Sequence, residues 1–228
     1  MLGNIRHSLK KIREPWLESA RWSRLSYAQE GEDLVLDRLL GQRVSGFYVE
    51  IGSHHPFRFS NTYLFYRRGW RGICVDPLPN SKTLFNKWRP RDIALEYGVS
   101  QAESVLKYHV FDEPALNTFD PAIAKERDLS SDYNLIKIID IQTFPLSTVL
   151  DGYLPTGQAI DILSVDVEGL DLEVLLSNNW MMYRPKFIIA ECLDTELTAI
   201  VHDPVAQFLS SVGYRAYAKT GHSVIFTE

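Results

Sequence analysis

Acidic residues follow several short apolar segments of this sequence, at positions where they could act together chemically. Glu50, Asp76, Asp166 and Glu191 each stand at or near the end of such a segment, and Glu168 lies just beyond Asp166. The carboxyl ends of parallel strands meet at one edge of an open α/β sheet, and ligands bind there. We therefore expect these carboxylates to surround one site.

Three of these acids, Asp166, Glu168 and Glu191, are candidate catalytic and metal-binding residues. Carboxylate oxygens are the ligands that Mg²⁺ prefers, and a cation held there would lower the pKa of an attacking hydroxyl. Alternatively, Asp166 or Glu168 acts directly as a general base or holds the ammonium group of a cofactor, or Glu168 only begins a helix. His54 and His55 are further candidates for the general base, with ordinary polar loop residues as the alternative.

Gly52 and Asp76 form a second pattern, one that is typical of nucleotide binding. Gly52 ends the first apolar segment and lets the chain turn sharply, while Asp76 ends the next segment, where an acid can accept hydrogen bonds from two ribose hydroxyls. The residues after Gly52 are Ser-His-His-Pro, so the glycine-rich loop that binds a dinucleotide pyrophosphate is missing. This favours a cofactor without phosphates, such as S-adenosylmethionine.

Segments typical of strands and helices alternate along the chain and would position these residues. Strands are predicted at residues 46–52, 72–76, 92–99, 105–111, 137–144, 161–166, 187–191, 214–218 and 223–226. Helices are predicted at residues 34–40, 60–68, 80–88 and 204–211, from 146–150 onward, and after residue 166 through Leu176, whereas residues 112–135 form a polar excursion or lid. The alternation predicts a three-layer α/β sandwich around a mainly parallel sheet, with the last two strands as an antiparallel hairpin at one edge.

Length and charge limit the possible classes of protein. The chain has 228 residues, 45% of them hydrophobic, and a net charge of −5. We expect one domain at residues 26–228, preceded by a basic arm at residues 1–25. The first 24 residues carry six lysines and arginines against two acids, so the remainder is acidic, which argues against binding to nucleic acid.

The sequence also carries expectations about its compartment. No apolar run approaches the roughly 20 residues of a transmembrane helix, and the start lacks the apolar core of a signal peptide. Neither Cys74 nor Cys192 has a CxxC partner, so both are expected to be packed thiols. These features predict a cytoplasmic protein.

The arm itself has the pattern of an amphipathic helix. Ile5, Leu9, Ile12 and Trp16 recur at helical spacing among basic residues. Such a helix would lie on an anionic membrane or bind a partner, and the alternative is an ordinary N-terminal helix packed on the domain. The first alternative would place the protein peripherally at the inner membrane.

Six segments of the chain, in the same order, resemble the FkbM family of S-adenosylmethionine-dependent methyltransferases. They are SYAQEGED at residues 26–33, FYVEIGSHHP at 47–56, SNT at 60–62, GICVDP at 72–77, DILSVDVEGLD at 161–171 and RPKFIIAE at 184–191. The fifth segment is similar to the family signature lLkiDvEGxE. The resemblance covers residues 26–228, so only the arm lies outside it.

The resemblance implies a fold, a cofactor and a reaction. The implied fold is the Rossmann-like class I methyltransferase fold, a seven-stranded sheet whose last strand is antiparallel. The implied cofactor is S-adenosylmethionine, and the implied reaction is O-methylation of a sugar hydroxyl or of a polyketide-type metabolite. Because SYAQEGED and SNT resemble segments of bacterial surface-glycan enzymes, a sugar or glycolipid acceptor in polysaccharide biosynthesis is favoured.

The resemblance also implies cofactor-binding residues in the shared segments and at the end of the third predicted strand: Gln29, Glu50, Gly52, Ser53, Asn61, Asp76, Pro77, Gly98, Val99 and Asp166. In this assignment Asp76 binds the ribose, and Gly52 and Ser53 line the methionine moiety. The backbone of Gly98 and Val99 lies near the adenine.

The chain departs from the family pattern at two of these positions. Members often have Asp-x-Gly-Ala-x-x-Gly after the first strand, whereas this chain has Glu50 and lacks the second glycine. Glu50 would still accept a hydrogen bond near the methionine end. Asp76 replaces the commoner Glu and has a shorter reach to the same ribose.

Alternatives to an O-methyltransferase come from other functional classes. A non-catalytic methyltransferase-like assembly module is one, although the retained acids Glu50, Asp76, Asp166 and Glu168 argue against it. An NAD-type oxidoreductase is disfavoured by the missing phosphate loop. A hydrolase has the least support, because the sequence contains no GxSxG motif.

Overall fold

The computed structural model describes residues 19–130, 132–192 and 196–228. The amphipathic pattern from Ile5 to Trp16 lies outside the described residues. Within them, none of the helices has the length and apolar character that crossing a lipid bilayer requires.

The described residues form two sheets from the strands β1 (Phe47–Ile51), β2 (Arg71–Val75), β3 (Ile93–Leu95), β4 (Gly98–Val99), β5 (Ser104–Phe111), β6 (Leu135–Phe144), β7 (Ile162–Val165), β8 (Phe187–Glu191), β9 (Arg215–Lys219) and β10 (Ser223–Thr227). The main sheet has the order β3-β2-β1-β7-β8-β10-β9. Strand β10 runs antiparallel to both of its neighbours, and the pairs from β3 through β8 are parallel. The predicted α/β fold with its antiparallel C-terminal strand is therefore confirmed.

Helices cover both faces of this sheet. They are α1 (Glu32–Leu39), α2 (Tyr63–Arg67), α3 (Ser81–Trp88), α4 (Pro121–Ser130), α5 (Leu146–Tyr153), α6 (Asp171–Leu176) and α7 (Pro204–Ser211), with 3-10 turns at Pro114–Leu116 and Leu197–His202. Apolar side chains of α1, α2 and α3 pack with Tyr48 and Ile189 on one face. Those of α5, α6 and α7 pack with Val49 and Ile188 on the other, because neighbouring strand residues point to opposite faces.

The second sheet, with the order β4-β6-β5, differs from the sequence expectation. Residues 92–99 were predicted as one strand, but β3 ends in the main sheet and β4 begins in the small one, with Glu96 and Tyr97 between them. Strands β5 and β6 pair antiparallel from Ser104–Thr143 to Phe111–Leu135. Local pairing of two strands close in sequence thus builds a separate ribbon beside the main sheet.

The excursion at residues 112–135 is more ordered than the sequence suggested, because it contains α4. Pro121 opens this helix, and the Asp120 carboxylate accepts hydrogen bonds from the backbone N–H groups of Ala122 (2.7 Å) and Ile123 (3.2 Å). Asp-Pro at a helix start is a readable signal, and the same pair, Asp203 and Pro204, begins α7. The low apolar content of residues 121–130 explains why the hydrophobic pattern did not predict this helix.

A buried arginine ties the first three strands to the loop that follows β1. The Arg89 side chain is fully buried; its Nε lies 2.7 Å from Asp92 and its Nη1 lies 3.4 Å from Glu50. Its remaining N–H groups donate to Thr62 Oγ1 (2.8 Å), Ser60 Oγ (3.2 Å) and the Pro56 carbonyl (3.3 Å). One guanidinium thus holds both ends of the segment between β1 and α2.

Ser60 takes part in this network and does not begin α2, which starts at Tyr63. Its hydroxyl accepts hydrogen bonds from the backbone N–H groups of Thr62 (3.3 Å) and Tyr63 (3.1 Å) and donates one to Glu50 (3.1 Å). The helix predicted to begin at residue 60 therefore begins three residues later, after a tight turn next to the Glu50 carboxylate.

We predict that Arg89→Met lowers the free energy of unfolding by about 3–5 kcal/mol, because it leaves two buried carboxylates without their counter-ion. Urea unfolding followed by circular dichroism measures this. Arg71→Met, at the exposed start of β2, is the matched control and should stay within about 0.5 kcal/mol of the wild type. Equal unfolding midpoints for the two variants would contradict the assigned role of Arg89.

Candidate active site

Two adjoining clefts open at the carboxyl ends of the main-sheet strands. Cleft A, of about 680 Å³, is lined by Gly52, Asp76 and Val99 among others. Cleft B, of about 670 Å³, is lined by Asn61 and Glu191 among others. The residues that line both are Gln29, Phe59, Asp166 and Glu168. The clefts meet where β1 and β7 lie side by side and the strand order changes direction, which is where open α/β sheets bind ligands.

Gly52 makes the sharp turn that the sequence predicts. Its φ is 77°, and its backbone N–H and that of Ser53 both donate to the Val75 carbonyl, at 2.9 and 3.0 Å. A Cβ atom here would lie 1.6 Å from the carbonyl oxygen of Asp166. The end of β1 therefore contacts the end of β7 directly, and only glycine permits this approach.

Asp76 lies at the wall of cleft A, held in one orientation by two backbone hydrogen bonds. Its Oδ2 accepts from the N–H of His54 (2.8 Å) and its Oδ1 from the N–H of Leu78 (2.8 Å). Burial, with smaller contributions from Glu96 and Glu50, raises the pKa of Asp76 to about 6, although the two backbone donors oppose this. Each carboxylate oxygen retains a lone pair that can accept a hydroxyl hydrogen.

Apolar and aromatic side chains form another part of the cleft A wall. Tyr97, Tyr108 and Phe119 line it together with Gly98, and the Tyr108 and Phe119 rings lie 4.6 Å apart between centroids. A Cβ on Gly98 would lie 2.7 Å from the Phe119 ring, so the glycine allows this ring to pack closely against the backbone at the wall of the cleft. Sequence reasoning placed Gly98 and Val99 here but missed the aromatic residues.

His54 lines cleft A next to Asp76 and has a left-handed backbone, with φ 47°. Burial, together with the nearby Arg58 and His55, lowers the pKa of His54 to about 4. Its Nε2 is buried and has no hydrogen-bond partner among the described residues. His55 instead accepts backbone hydrogen bonds from Phe57 (3.4 Å) and Arg58 (3.2 Å) and lines neither cleft.

Three of the acids that the sequence places together do form a cluster. Asp166, Glu168 and Glu191 each offer a ligand oxygen, and these oxygens lie within 4.8 Å of one another. Burial and the neighbouring carboxylates raise the pKa of Glu191 to about 10 and the pKa of Asp166 well above its ordinary value. Three carboxylates this close hold protons or a cation, because their mutual repulsion disfavours full ionisation. These three residues are hereafter the acid cluster.

The excursion folds over the acid cluster. Arg127 of α4 pairs with the Glu168 carboxylate and donates to the Leu116 carbonyl at 2.7 Å. The Thr118 hydroxyl donates to the Glu168 carbonyl at 2.7 Å, and Asn117 lines cleft A. The segment predicted as a lid thus contributes walls to the clefts and the one guanidinium among the described residues lining them.

Gln29 reaches both clefts from the loop before α1. The Asp33 carboxylate fixes this loop by accepting hydrogen bonds from the Ser26 hydroxyl (2.6 Å) and the Tyr27 N–H (2.8 Å). On the other side, Glu30 accepts one from the His222 N–H (2.9 Å). The loop is thereby held between α1 and the turn that joins β9 and β10.

The structure brings most of the residues implied for the cofactor into cleft A: Gln29, Gly52, Asp76, Pro77, Gly98, Val99 and Asp166. Glu50, Ser53 and Asn61 are not among them. Glu50 lines neither cleft and its buried carboxylate pairs with Arg89 at 3.4 Å, so its role is to position the loop. Ser53 is buried beneath the turn. Asn61 lines cleft B and donates to Ser164 at 3.0 Å.

Comparison with protein families agrees with this geometry. The family model described as the methyltransferase FkbM domain matches residues 50–216, about three quarters of the chain. The matched region begins in β1 and ends in β9, so it contains Gly52, Asp76 and the acid cluster. No curated protein and no solved structure gives a significant match.

Proposed function

The chain belongs to the FkbM family of methyltransferases, and on that premise we propose that it transfers a methyl group from S-adenosylmethionine to a hydroxyl of a sugar. The observation that carries the cofactor assignment is Asp76, which two backbone N–H groups hold at the wall of a cleft that aromatic side chains also line. A carboxylate in this position suits a ribose, and the aromatic side chains suit a purine.

The residues of cleft A fit such a cofactor along its length. Asp76 would accept hydrogen bonds from the ribose hydroxyls, and Gly98 with Phe119 would enclose the adenine. The amino-acid end would lie along the Gly52 turn beside Asp166, because both residues line the cleft and the glycine lets the ends of β1 and β7 meet there. The missing phosphate-binding loop also favours a cofactor without phosphates over a dinucleotide, and hence methyl transfer over hydride transfer.

When bound, S-adenosylmethionine supplies a methyl group on a positively charged sulfur. Acids around the junction of the clefts favour that charge. The acid cluster is better suited than His54 to take the proton of the acceptor hydroxyl. The pKa of His54, lowered to about 4, makes its ring a weak base. Burial and the neighbouring carboxylates raise the pKa of Glu191 to about 10, so Glu191 holds a proton at neutral pH, and Glu168, whose carboxylate pairs with Arg127, is the proposed acceptor of the hydroxyl proton.

Cleft B supports an acceptor rich in hydroxyl groups. Its lining offers amide, carboxylate and hydroxyl groups from Gln29, Asn61, Glu191 and Ser223, which can both donate to and accept from a sugar. We therefore infer a neutral sugar or glycolipid precursor as the acceptor, which fits a role in polysaccharide biosynthesis.

Calorimetric titration with S-adenosylhomocysteine tests the cofactor assignment. We expect the wild type to bind it and Asp76→Ala to bind it at least about tenfold more weakly, since two hydrogen bonds to a charged group are lost. Asp151→Ala, on α5 away from both clefts, is the matched control. A folded wild type that does not bind S-adenosylhomocysteine would instead favour the non-catalytic assembly module.

The same site has an expected pH dependence. Ribose hydroxyls donate to the ionised form of Asp76, so ligand affinity should be full above pH 6 and fall as the pH drops through about 6, where burial places the pKa of Asp76. The ligand for this titration is 5′-methylthioadenosine. It lacks the amino-acid end, so its affinity reports the ribose contact with Asp76 and not the protonation of the acid cluster. Asp76→Asn should bind 5′-methylthioadenosine weakly, with the same affinity at pH 5 and pH 7.5. If its affinity fell at low pH as that of the wild type does, a group other than Asp76 would be responsible for the pH dependence.

We also propose that the acid cluster binds a divalent cation such as Mg²⁺. The support is the spacing of its oxygens, within 4.8 Å of one another, and the hard carboxylate donors. A cation there would relieve the repulsion among the three acids and would bind and orient the acceptor hydroxyls next to Asp166.

Calorimetric titration with MnCl₂ and MgCl₂ tests this proposal without an activity assay. The wild type should bind one ion per chain, and Glu191→Gln should weaken binding at least about tenfold. Glu103→Gln, at an exposed position before β5, should leave the affinity unchanged. Absence of saturable binding to the wild type would leave the acid cluster as a proton acceptor only.

Finally, we propose that the basic arm contacts an anionic membrane surface. In the described part of the arm, Trp22 and Leu25 are 76% and 71% exposed, and the Arg21 guanidinium lies 5.8 Å from the Trp22 ring. Exposed aromatic and basic residues together are typical of interfacial segments.

Vesicle sedimentation tests the arm. The protein should bind phosphatidylglycerol vesicles and not phosphatidylcholine vesicles, and the double change of Trp22→Ser and Leu25→Ser should reduce the bound fraction. Trp88→Ser, at an exposed position on α3, serves as the control. Equal sedimentation of all three proteins would rule out a contribution from this segment.

A further inference from the structure

Phe59 is an aromatic residue in a backbone conformation that aromatic residues rarely adopt. Its φ is 56°, in the left-handed region where a bulky side chain is strained. Its side chain is 42% exposed, whereas Ser60 and Asn61 after it are buried. A strained residue persists when its surroundings determine its conformation, and such residues cluster at ligand sites.

The strained backbone places the Phe59 ring at the junction of the two clefts, since it lines both. Of the described residues that line cleft B, Phe59 alone carries a benzene ring. Apart from Leu116, the residues around it there are polar or charged, with Asp166 and Glu168 at the same junction. Cleft B thus combines one aromatic surface with a rim of hydrogen-bonding groups.

Residues before and after Phe59 in the chain hold its ring in this place. The Arg58 guanidinium lies 4.4 Å from the ring centroid and is itself fixed by two hydrogen bonds to Glu113, at 3.0 and 2.9 Å. The His54 ring lies 6.3 Å away at an interplanar angle of 20°. On the C-terminal side, Ser60 is anchored on Glu50. The loop therefore keeps the ring in the cleft without any bound ligand.

We propose that Phe59 is an acceptor-positioning residue whose ring packs against the non-polar C–H face of a hexopyranose. This deepens the proposed function and rests on it. A pyranose has a C–H face and a rim of hydroxyls, which match one aromatic surface surrounded by polar groups. With one face on Phe59, the sugar presents a rim hydroxyl to Asp166 and Glu168, at the boundary with cleft A.

Saturation-transfer NMR tests the proposal with the methyl α-glycosides of glucose, galactose and mannose, each added to protein saturated with S-adenosylhomocysteine. We expect at least one glycoside to bind the wild type, with saturation concentrated on the ring protons of one face. Phe59→Ala should weaken that binding about 3–10-fold and remove the one-face pattern. Phe59→Tyr and Phe59→Trp, which keep an aromatic surface, should retain both.

Two controls separate this role from a structural one. Phe57→Ala removes a neighbouring exposed aromatic residue that lines neither cleft, and it should bind the glycoside as the wild type does. S-adenosylhomocysteine affinity, measured by calorimetry, should be equal in the wild type and all Phe59 variants, because the ring is assigned to the acceptor.

The outcomes distinguish this proposal from the proposed function. Wild type that binds S-adenosylhomocysteine but none of the glycosides overturns the role of Phe59 alone, as does Phe59→Ala with unchanged glycoside affinity. Loss of S-adenosylhomocysteine binding in Phe59→Ala also overturns it, since the ring would then shape cleft A. Wild type that binds neither ligand overturns both proposals.

Discussion

The buried guanidinium of Arg89 is the interaction on which the rest of the site depends. A charge without access to water must be paired and fully hydrogen-bonded, and here the partners come from β1, from the start of β3 and from the loop between β1 and α2. That loop carries His54 and Phe59 into the clefts and holds Asp76 through the His54 N–H. The need to pair one buried guanidinium therefore fixes the loop that shapes the ligand-binding surface.

The opposite electrostatic condition holds at the carboxyl ends of β7 and β8. There the acid cluster gathers three carboxylates with one nearby guanidinium, Arg127, and burial together with the neighbouring carboxylates raises the pKa of Asp166 and of Glu191. Such an arrangement costs stability and is typical of functional sites. The contrast separates two kinds of acid in this chain: Glu50, which is paired and structural, and the acid cluster, which is open to a ligand.

Much of this was predictable from sequence. Apolar segments ending in Asp76, Asp166 and Glu191 predicted parallel strands whose ends meet, and the structure places these strand ends around the clefts. Gly52 was predictable for the same reason, because a strand that ends in glycine permits a tight turn. The separate β5–β6 ribbon was not, since an alternating strand pattern does not specify which sheet a strand joins. Helix α4 was missed although Asp120 and Pro121 marked its start.

The sequence by itself determined the order of strands and helices, the acids at the strand ends and the class of cofactor they suit, because these depend on local periodicity and residue type. Only the tertiary structure decided which acids face a ligand. Glu50 and Asp166 look alike in the sequence, but Glu50 lines neither cleft and instead meets Arg89, a residue 39 positions away. Phe59 likewise became informative only through its backbone conformation and its neighbours. Such facts depend on long-range packing, which no local pattern encodes.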